Sequence, residues 1–442
     1  MTRSPEVPDR ERSLAAARRT LDALRRAVPE EPAAGADLSL VTEAVAVVAS
    51  SRGGSSLLHQ VLSDRSDVLS LGGEHTALYK LNRLDRGPDG SDALAPDTAF
   101  DRAELSRDFV SLLGSGGHRP PHDPADRTRY AAVVTRRLAL QWPLEEIGYP
   151  AVRDAVDHAV RACARPEDPD ALFAAVLHRL RAGHPRLDPS CYDLPPALRG
   201  PAAGGDLRPP HDGYCIEEPP FVVPRARPAA DADALRRHPL VIKSSVDAYR
   251  LPLLRRLLPD ARIRVVHLTR NPAASVNGLY DGWRDRGFFS YDVSGQHPLS
   301  IAGYSELGAA ARRWWNFDLP PGWADLVDQP LERVCAHQWA GAHRAVLDGL
   351  GPGTADAVLR VPFERILDPA TRERTLRSVF AFAGLPQPPG PVPLPVVMAT
   401  ARPRPARWRE RAGLVLPAVD HPDVRAVADE LGYRKGQEEQ WT

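Results

Sequence analysis

The chain has 442 residues, 43% of them hydrophobic and 26% charged, with a formal net charge of zero. That length admits one large core or two smaller ones, and the composition is that of an ordinary globular protein. Zero net charge argues against a broad surface for nucleic acid or an anionic membrane. The charged N-terminus, "MTRSPEVPDRERSLAAARR", lacks the apolar core of a secretory signal, and no apolar run approaches membrane-spanning length.

The predicted elements begin with an amphipathic helix over 11–27, carrying Leu14, Leu21 and Leu24 among arginines. A Pro/Gly/Ala link, 28–39, follows it, so 1–38 is expected to stand apart as helix and linker. "EAVAVVAS" reads as a buried parallel strand and Ser55 to Leu62 as the start of a helix. "DVLSL" (67–71) is a second short strand that ends at Gly72-Gly73-Glu74. From 85 to 238 the pattern loosens into helical pieces at 101–113, 128–140, 151–164 and 171–183, broken by the Pro/Gly-rich passage 194–213. This stretch is expected to be a helical insertion or cap.

Alternation returns with a strand over 240–243, a helix over 246–258, the strand "ARIRVVHLTR" and the helix "NPAASVNGLYDGWRDR", which has Pro at an early position. A polar-aromatic loop, "GFFSYDVSGQHPLS", precedes the aromatic segment "RRWWNFDLPPGW". "VCAHQWAGAHRAVLDGL" is a helix, "DAVLRVPFERIL" a strand and turn, and "ATRERTLRSVFAFAGL" a helix closed by Gly384. A Pro-rich tail ends the chain. Strands alternating with helices predict an α/β fold, a P-loop-like parallel sheet flanked by helices.

The stretch "VVASSRGGSSLLHQVL" (47–62) carries the first chemistry. Ser51-Arg52-Gly53-Gly54-Ser55-Ser56 sets backbone N–H groups, a cation and hydroxyls at a helix start, where an anion is favoured. Gly53 and Gly54 permit the tight turn. The plainer reading is a βα turn with serine caps. No Lys precedes Ser55-Ser56, which argues against Mg-nucleotide hydrolysis. Arg270 ends a later strand with Ser275 on the helix that follows, a pairing suited to a second phosphate. Glu74, after two glycines at a strand's carboxyl end, is placed to accept a hydroxyl proton. The plainer reading of Glu74 is a helix-start residue.

Only three of the 57 basic residues are lysines, Lys80, Lys243 and Lys435. In a chain that uses arginine almost throughout, Lys243 at the end of "LVIK" is informative, because a compact ammonium and a guanidinium are not interchangeable. It suits neutralisation of a leaving group's charge, against the plainer reading of a structural ion pair. The four cysteines (Cys163, Cys191, Cys215 and Cys335) are scattered without C-x-x-C pairs, so reduced thiols and no metal site are expected. His59, His267 and the tryptophans Trp314, Trp315 and Trp323 with Phe317 read as packing or capping groups, with an acceptor-pocket role for the aromatic segment as the alternative.

Together these segments resemble the sulfotransferase family that uses 3′-phosphoadenosine 5′-phosphosulfate (PAPS). The loop resembles its 5′-phosphosulfate loop, and the Arg270 segment its 3′-phosphate motif. "VIKSSVDAYRLPLLRRLLPDARIRVVHLTRNPAAS" is similar to the Lys-Ser-Ser to Arg-Asn-Pro series of its bacterial and protein-tyrosine branches. "LRVPFERILDPATRERTLRSVFAFAGLP" is similar to its late strand and helix. The likeness covers roughly 44–80 and 238–387. It implies a sulfotransferase domain over 39–433 with a tail at 434–442.

The implied reaction moves a sulfuryl group from PAPS, as co-substrate, to a hydroxyl acceptor by in-line displacement, with no metal required. Glu74, Lys243 and Arg52 are the implied catalytic residues, with Ser244 assisting and His75 the rival to Glu74 as base. Arg52, Gly53, Gly54, Ser55, Ser56, Arg270 and Ser275 would hold the co-substrate. The family usually has Ser eight residues after the 3′-phosphate Arg. Here that position is Gly278, so Ser275 or Asn277 is the substitute. The expected partner is a small-molecule or peptidyl hydroxyl or phenol, with no nucleic acid and no membrane, in a cytoplasmic protein for which a homodimer stays open. The rivals are a P-loop-type small-molecule kinase and a non-catalytic PAP(S)-binding module.

Overall fold

The computed structural model describes residues 6–29, 35–199, 208–211, 213–285, 288–401 and 404–441. Parts of the predicted segments lie outside the described residues: 1–5 of the leading segment, 30–34 of the link, 200–207 and 212 of the Pro/Gly-rich passage, 286–287 where the helix over 271–286 meets the polar-aromatic loop, and 402–403 and 442 of the tail.

Helix α1 (Glu6–Ala27) leads to β1 (Glu43–Val48), α2 (Ser55–Ser63), β2 (Leu69–Ser70) and α3 (Thr76–Leu81). The insertion holds α4 (Arg102–Val110), β3 (Gly114–Ser115), α5 (Pro124–Gln141), α6 (Tyr149–Ala162), α7 (Pro169–Leu180), α8 (Pro196–Arg199) and α9 (Ala232–Arg237). Then come β4 (Leu240–Ile242), α10 (Leu251–Leu257), β5 (Arg262–Thr269), α11 (Pro272–Arg284), β6 (Phe289–Asp292) and β7 (Trp314–Asn316). The chain finishes with α12 (Leu331–Gly349), β8 (Ala357–Pro362), α13 (Glu364–Leu367), α14 (Pro369–Ala383), α15 (Ala412–Val419) and α16 (Pro422–Glu430).

Six strands form one sheet in the order β3-β2-β4-β1-β5-β8. All its pairs are parallel except β2 with β3 at one edge. β1 sits between β4 and β5, with Val45 opposite both Val241 and Arg264. Its alternate residues feed two cores: Ala44, Ala46 and Val48 pack on one face, Val45 and Val47 on the other. That double burial is why the strand is a continuous apolar run.

The insertion has a core of its own, built where Tyr130 and Val134 of α5 meet Val152 and Val156 of α6 and Phe173 and Val176 of α7. The leading helix α1 packs on both bodies: Leu14 and Leu21 join the sheet's core, while Leu24 meets Ala132 of α5.

Three expectations about elements change. The helix expected over 246–258 is a 3₁₀ turn, Ser245–Tyr249, followed by α10. The break falls at Arg250, whose buried guanidinium donates to the carbonyls of Leu84, Asp85 and Asp92 and to the Asp92 carboxylate at 3.0 Å. The polar-aromatic loop contains β6, which pairs antiparallel with β7 of the aromatic segment. Cross-strand aromatic packing, with Phe289 against Trp314 at 5.8 Å between ring centroids, outweighs the polar residues around it. The Pro-rich tail gives way to α15 and α16, whose Val415, Val419, Val424 and Val427 join the core under α11 and α12.

Asp92 ties these segments together, accepting from Arg250, the Tyr291 hydroxyl and the Leu319 N–H. Arg250→Ala strands that carboxylate without its cation, and urea unfolding is expected to show a loss of about 3–5 kcal/mol. A loss under about 1 kcal/mol, the range of an exposed pair, would contradict it.

Candidate active site

The carboxyl ends of four neighbouring strands converge on one edge of the sheet. β1 delivers the Ala49–Gly54 loop, β4 delivers Lys243, β5 delivers Arg270, and β2 leads through Gly72-Gly73 to Glu74. In open α/β sheets that edge is where ligands bind.

The loop is backbone-strained and firmly held. Arg52 has φ +61° and Gly54 φ +96°. A non-glycine residue in that region costs of order 1–3 kcal/mol and persists only where its surroundings over-determine it. Ser51 Oγ donates to Asp318 Oδ1 at 2.6 Å, and Gly53 N–H to the Ser50 carbonyl at 3.0 Å. The Arg52 guanidinium donates to the Met398 carbonyl at 2.6 Å and to Thr400 Oγ1 at 3.0 Å. Arg270 donates to the Arg52 carbonyl at 3.0 Å. Glycine at 54 is required twice over, because a Cβ there would also lie 2.5 Å from the Phe363 ring. Gly54 caps α2 without a side-chain bond, so the N–H groups of the first turn have no cap from it.

Cations gather at this loop. Burial, then the charge of Arg270, brings the Arg52 guanidinium down to about 10. Burial likewise lowers Arg270, against the attraction of Glu364, and Arg407 depresses both. Arg407 and Arg411 both bind Asp281 of α11, and among the described residues neither Arg52 nor Arg270 forms an ion pair. Two buried polar atoms here have no partner, Arg270 Nε and Ser275 Oγ. Buried donors are rarely left so, and a bound anion would satisfy them. A Cβ at Gly278 would lie 3.4 Å from the Arg52 Cβ, so this face of α11 looks onto the loop. Of the two substitutes for a hydroxyl at 278, Asn277 already accepts from Arg411 at 2.8 Å, whereas the Ser275 hydroxyl is uncommitted.

Lys243 reaches back to Ser56 Oγ at 3.0 Å and makes a short contact with Glu74 Oε1. Its side chain is 6% exposed and that of Glu74 31%. Glu74 Oε2 accepts from the Ser245 N–H at 3.1 Å and from Ser245 Oγ at 3.2 Å. Burial alone would raise the Glu74 carboxyl, but Lys243 and the Ser245 bonds together hold it below its ordinary range. It is therefore a carboxylate at neutral pH. Ser244 Oγ bonds Thr76 Oγ1 at 2.6 Å, while the Lys243 ammonium bonds Ser56 and Glu74. His75 is fully buried, bonded through Nε2 to Asp247 at 3.0 Å and Tyr79 at 3.2 Å.

Three participants carry no clear sequence signal. Arg407 lies 137 positions beyond Arg270 in a Pro/Arg-rich run (270 to 407). Glu218, from the insertion, pairs with the buried Lys80 at 2.9 Å. Its carboxyl is raised, first by burial and in part by the charge of Glu74. Scarcity of lysine singled out Lys80 but gave no role. Asp318 lies in the aromatic segment, whose Trp314, Trp315, Phe317 and Trp323 pack in the core. A cavity of about 630 Å³ adjoins the site, sharing Phe288, Met398 and Thr400 with Arg52 and lined further by Trp142, Tyr192 and Tyr214. Among the described residues no cluster of three or more His, Cys, Asp or Glu is arranged to hold a metal, and no helix is long and apolar enough to cross a membrane.

No protein-family model and no curated protein matches the sequence. Solved structures do resemble the fold. A sulfotransferase domain from the curacin biosynthetic pathway is 11% identical, with 89% of this chain and 99% of that one covered and a TM-score of 0.37. Sulfotransferase STF1 from Mycobacterium tuberculosis H37Rv is 10% identical over 95% of this chain and 84% of that one, with a TM-score of 0.32. The sulfotransferase domain of the Synechococcus PCC 7002 olefin synthase is 13% identical over 78% and 74%, with a TM-score of 0.29. These likenesses are distant, and the functional reading rests on the site's own residues.

Lys243→Met removes the charge that offsets burial at Glu74. Its carboxyl is expected to titrate above the ordinary glutamate range instead of below it, as read by carboxylate infrared or carbon NMR signals. In the native protein the depressed pKa contributes stability above the unfolded glutamate value, lost as pH falls through the folded one. That acid dependence shrinks in the variant, and an unmoved Glu74 titration would contradict the pairing.

Proposed function

We propose that this chain is a PAPS-dependent sulfotransferase. The observation that carries the reading is the cluster of Arg52, Arg270 and the α2 start, with neither arginine ion-paired among the described residues, Ser275 Oγ and Arg270 Nε unpartnered and Lys243 joined to both Ser56 and Glu74. The motif resemblance supports it in the same residues. The α2 N–H groups, Ser55, Ser56 and Arg52 hold the 5′-phosphosulfate, while Arg270 and Ser275 hold the 3′-phosphate.

The acceptor hydroxyl gives its proton to Glu74, a carboxylate at neutral pH, as its oxygen attacks sulfur. The bond from sulfur to the bridging oxygen breaks, and the charge passing to the 5′-phosphate is met by Lys243 and Arg52. Lys243 exchanges its contact with Glu74 for the leaving oxygen, which frees the carboxylate to act as base in the same step. The lysine that nucleotide-triphosphate loops carry just before the helix is absent here, and Lys243 approaches Ser56 from a neighbouring strand instead. This arrangement disfavours a kinase.

Incubation with radiolabelled PAPS and an extract of the source organism should transfer label to a hydroxylated product. PAP binding with no transfer to any acceptor would favour a non-catalytic binding module. Glu74→Gln should lower transfer by roughly 10²–10⁴-fold while leaving PAP affinity within about threefold. Unchanged turnover would remove Glu74 from the mechanism. Arg270→Ala should weaken PAP by roughly 10–100-fold and leave 5′-AMP nearly unaffected. Equal losses for the two nucleotides would contradict its assignment to the 3′-phosphate.

A further inference from the structure

Beneath the anion loop lies a carboxyl group without a cation. Asp318 is 1% exposed. Its Oδ1 accepts from Ser51 Oγ at 2.6 Å and its Oδ2 from the Tyr249 hydroxyl at 2.7 Å. Its backbone carbonyl is fixed by Trp315 Nε1 at 2.9 Å and Gln338 Nε2 at 2.7 Å. The other titratable groups facing it are Asp92 with its partner Arg250, and Cys335 of α12. Arg250 is committed to Asp92, so among the described residues no cation pairs with Asp318.

Burial pushes the Asp318 carboxyl up to about 7, against the Ser51 and Tyr249 hydrogen bonds, with the charge of Asp92 adding to the rise. As a carboxylate it takes the Ser51 hydrogen and sets a negative charge one hydroxyl away from a loop built to receive another. As a neutral acid it removes that repulsion and turns from acceptor into donor.

We propose that Asp318 is a positioning residue of the loop, and that an anion binding there brings one proton from solvent onto the Asp318 carboxylate. The proton lands on Oδ1. The hydrogen bond then runs from the carboxyl to Ser51 Oγ, and the Ser51 hydrogen is released to donate to the anion. No other bond forms or breaks. The inference rests on the reading of this loop as an anion site, and not on the identity of the anion.

The test is calorimetric titration of PAP in two buffers of different ionisation enthalpy, repeated from about pH 7 to about pH 9, above the range where phosphate monoesters titrate. The wild-type protein should show buffer-dependent heats that report proton uptake. Its affinity should fall as pH rises above about 7, towards about tenfold per pH unit for a full proton. Asp318→Asn keeps an acceptor for Ser51 and should abolish both signals. Ser51→Ala leaves the Asp318 charge in place but removes the hydroxyl that hands its hydrogen to the anion, so it should reduce the pH slope, and it decides the matter if Asp318→Asn does not fold. Buffer-independent heats in the wild type, or the same pH slope in wild type and Ser51→Ala, would overturn the proposal.

A parallel series reads the rise in Tm with sodium sulfate against sodium chloride of equal ionic strength. Sulfate stabilisation that falls with pH, without PAP binding, keeps the proton coupling and removes the PAPS reading. PAP binding without proton uptake keeps that reading and removes the coupling. Binding of neither anion removes both.

Discussion

The parallel pairing of β1 with β4 on one side and β5 on the other fixes everything at the candidate site. Three hydrogen-bonded strands in register place the Ala49–Gly54 loop, Lys243 and Arg270 side by side, because each follows the last paired residue of its own strand by a few positions. β2, parallel to β4, adds Glu74 through a glycine pair that lets the insertion approach closely. A Cβ at Gly73 would lie 2.4 Å from Val222, so the Gly-Gly pair serves packing as much as chain reversal. A one-residue slip in β4 would exchange its buried faces and carry Lys243 away from Ser56.

Charge at this edge is distributed unevenly, and the unevenness is physical content. Arg52 and Arg270 are half-buried, with carbonyl and hydroxyl partners and, among the described residues, no ion-paired carboxylate. Such an arrangement opposes folding, since buried cations are ordinarily paired. A bound anion would relieve it. The acids nearby are committed elsewhere, Asp281 to Arg407 and Arg411, Glu218 to Lys80, and Asp92 to Arg250. Glu74 and Asp318 differ in kind. One is held ionised by Lys243, and the other is pushed towards neutrality by burial without a cation. The two carboxyls thus shift in opposite directions, and under the proposed mechanism the ionised one is the proton acceptor.

Local placement was legible in the sequence, and long-range placement was not. The strand, loop and helix around Arg52 were readable because period, glycines and hydroxyls all fall within sixteen residues (47–62). Lys243 was readable through composition, and Arg270 through the strand end and the proline after it. The positive φ of Arg52 was not, because it depends on Met398, Thr400 and Asp318, each more than 250 positions away. Arg250 breaks a helix that periodicity extends, since its partners lie near residues 84–92. β6 was hidden because its alternation is short and aromatic, and aromatic pairing across to β7 decides it.

The most direct measurement is competitive binding of PAP and 5′-AMP with divalent cations chelated. Under the proposed reading, with the 3′-phosphate on Arg270 and Ser275, PAP binds at least about tenfold tighter than 5′-AMP, without metal. Equal affinities for the two nucleotides, or binding only of ATP with magnesium, would contradict the account.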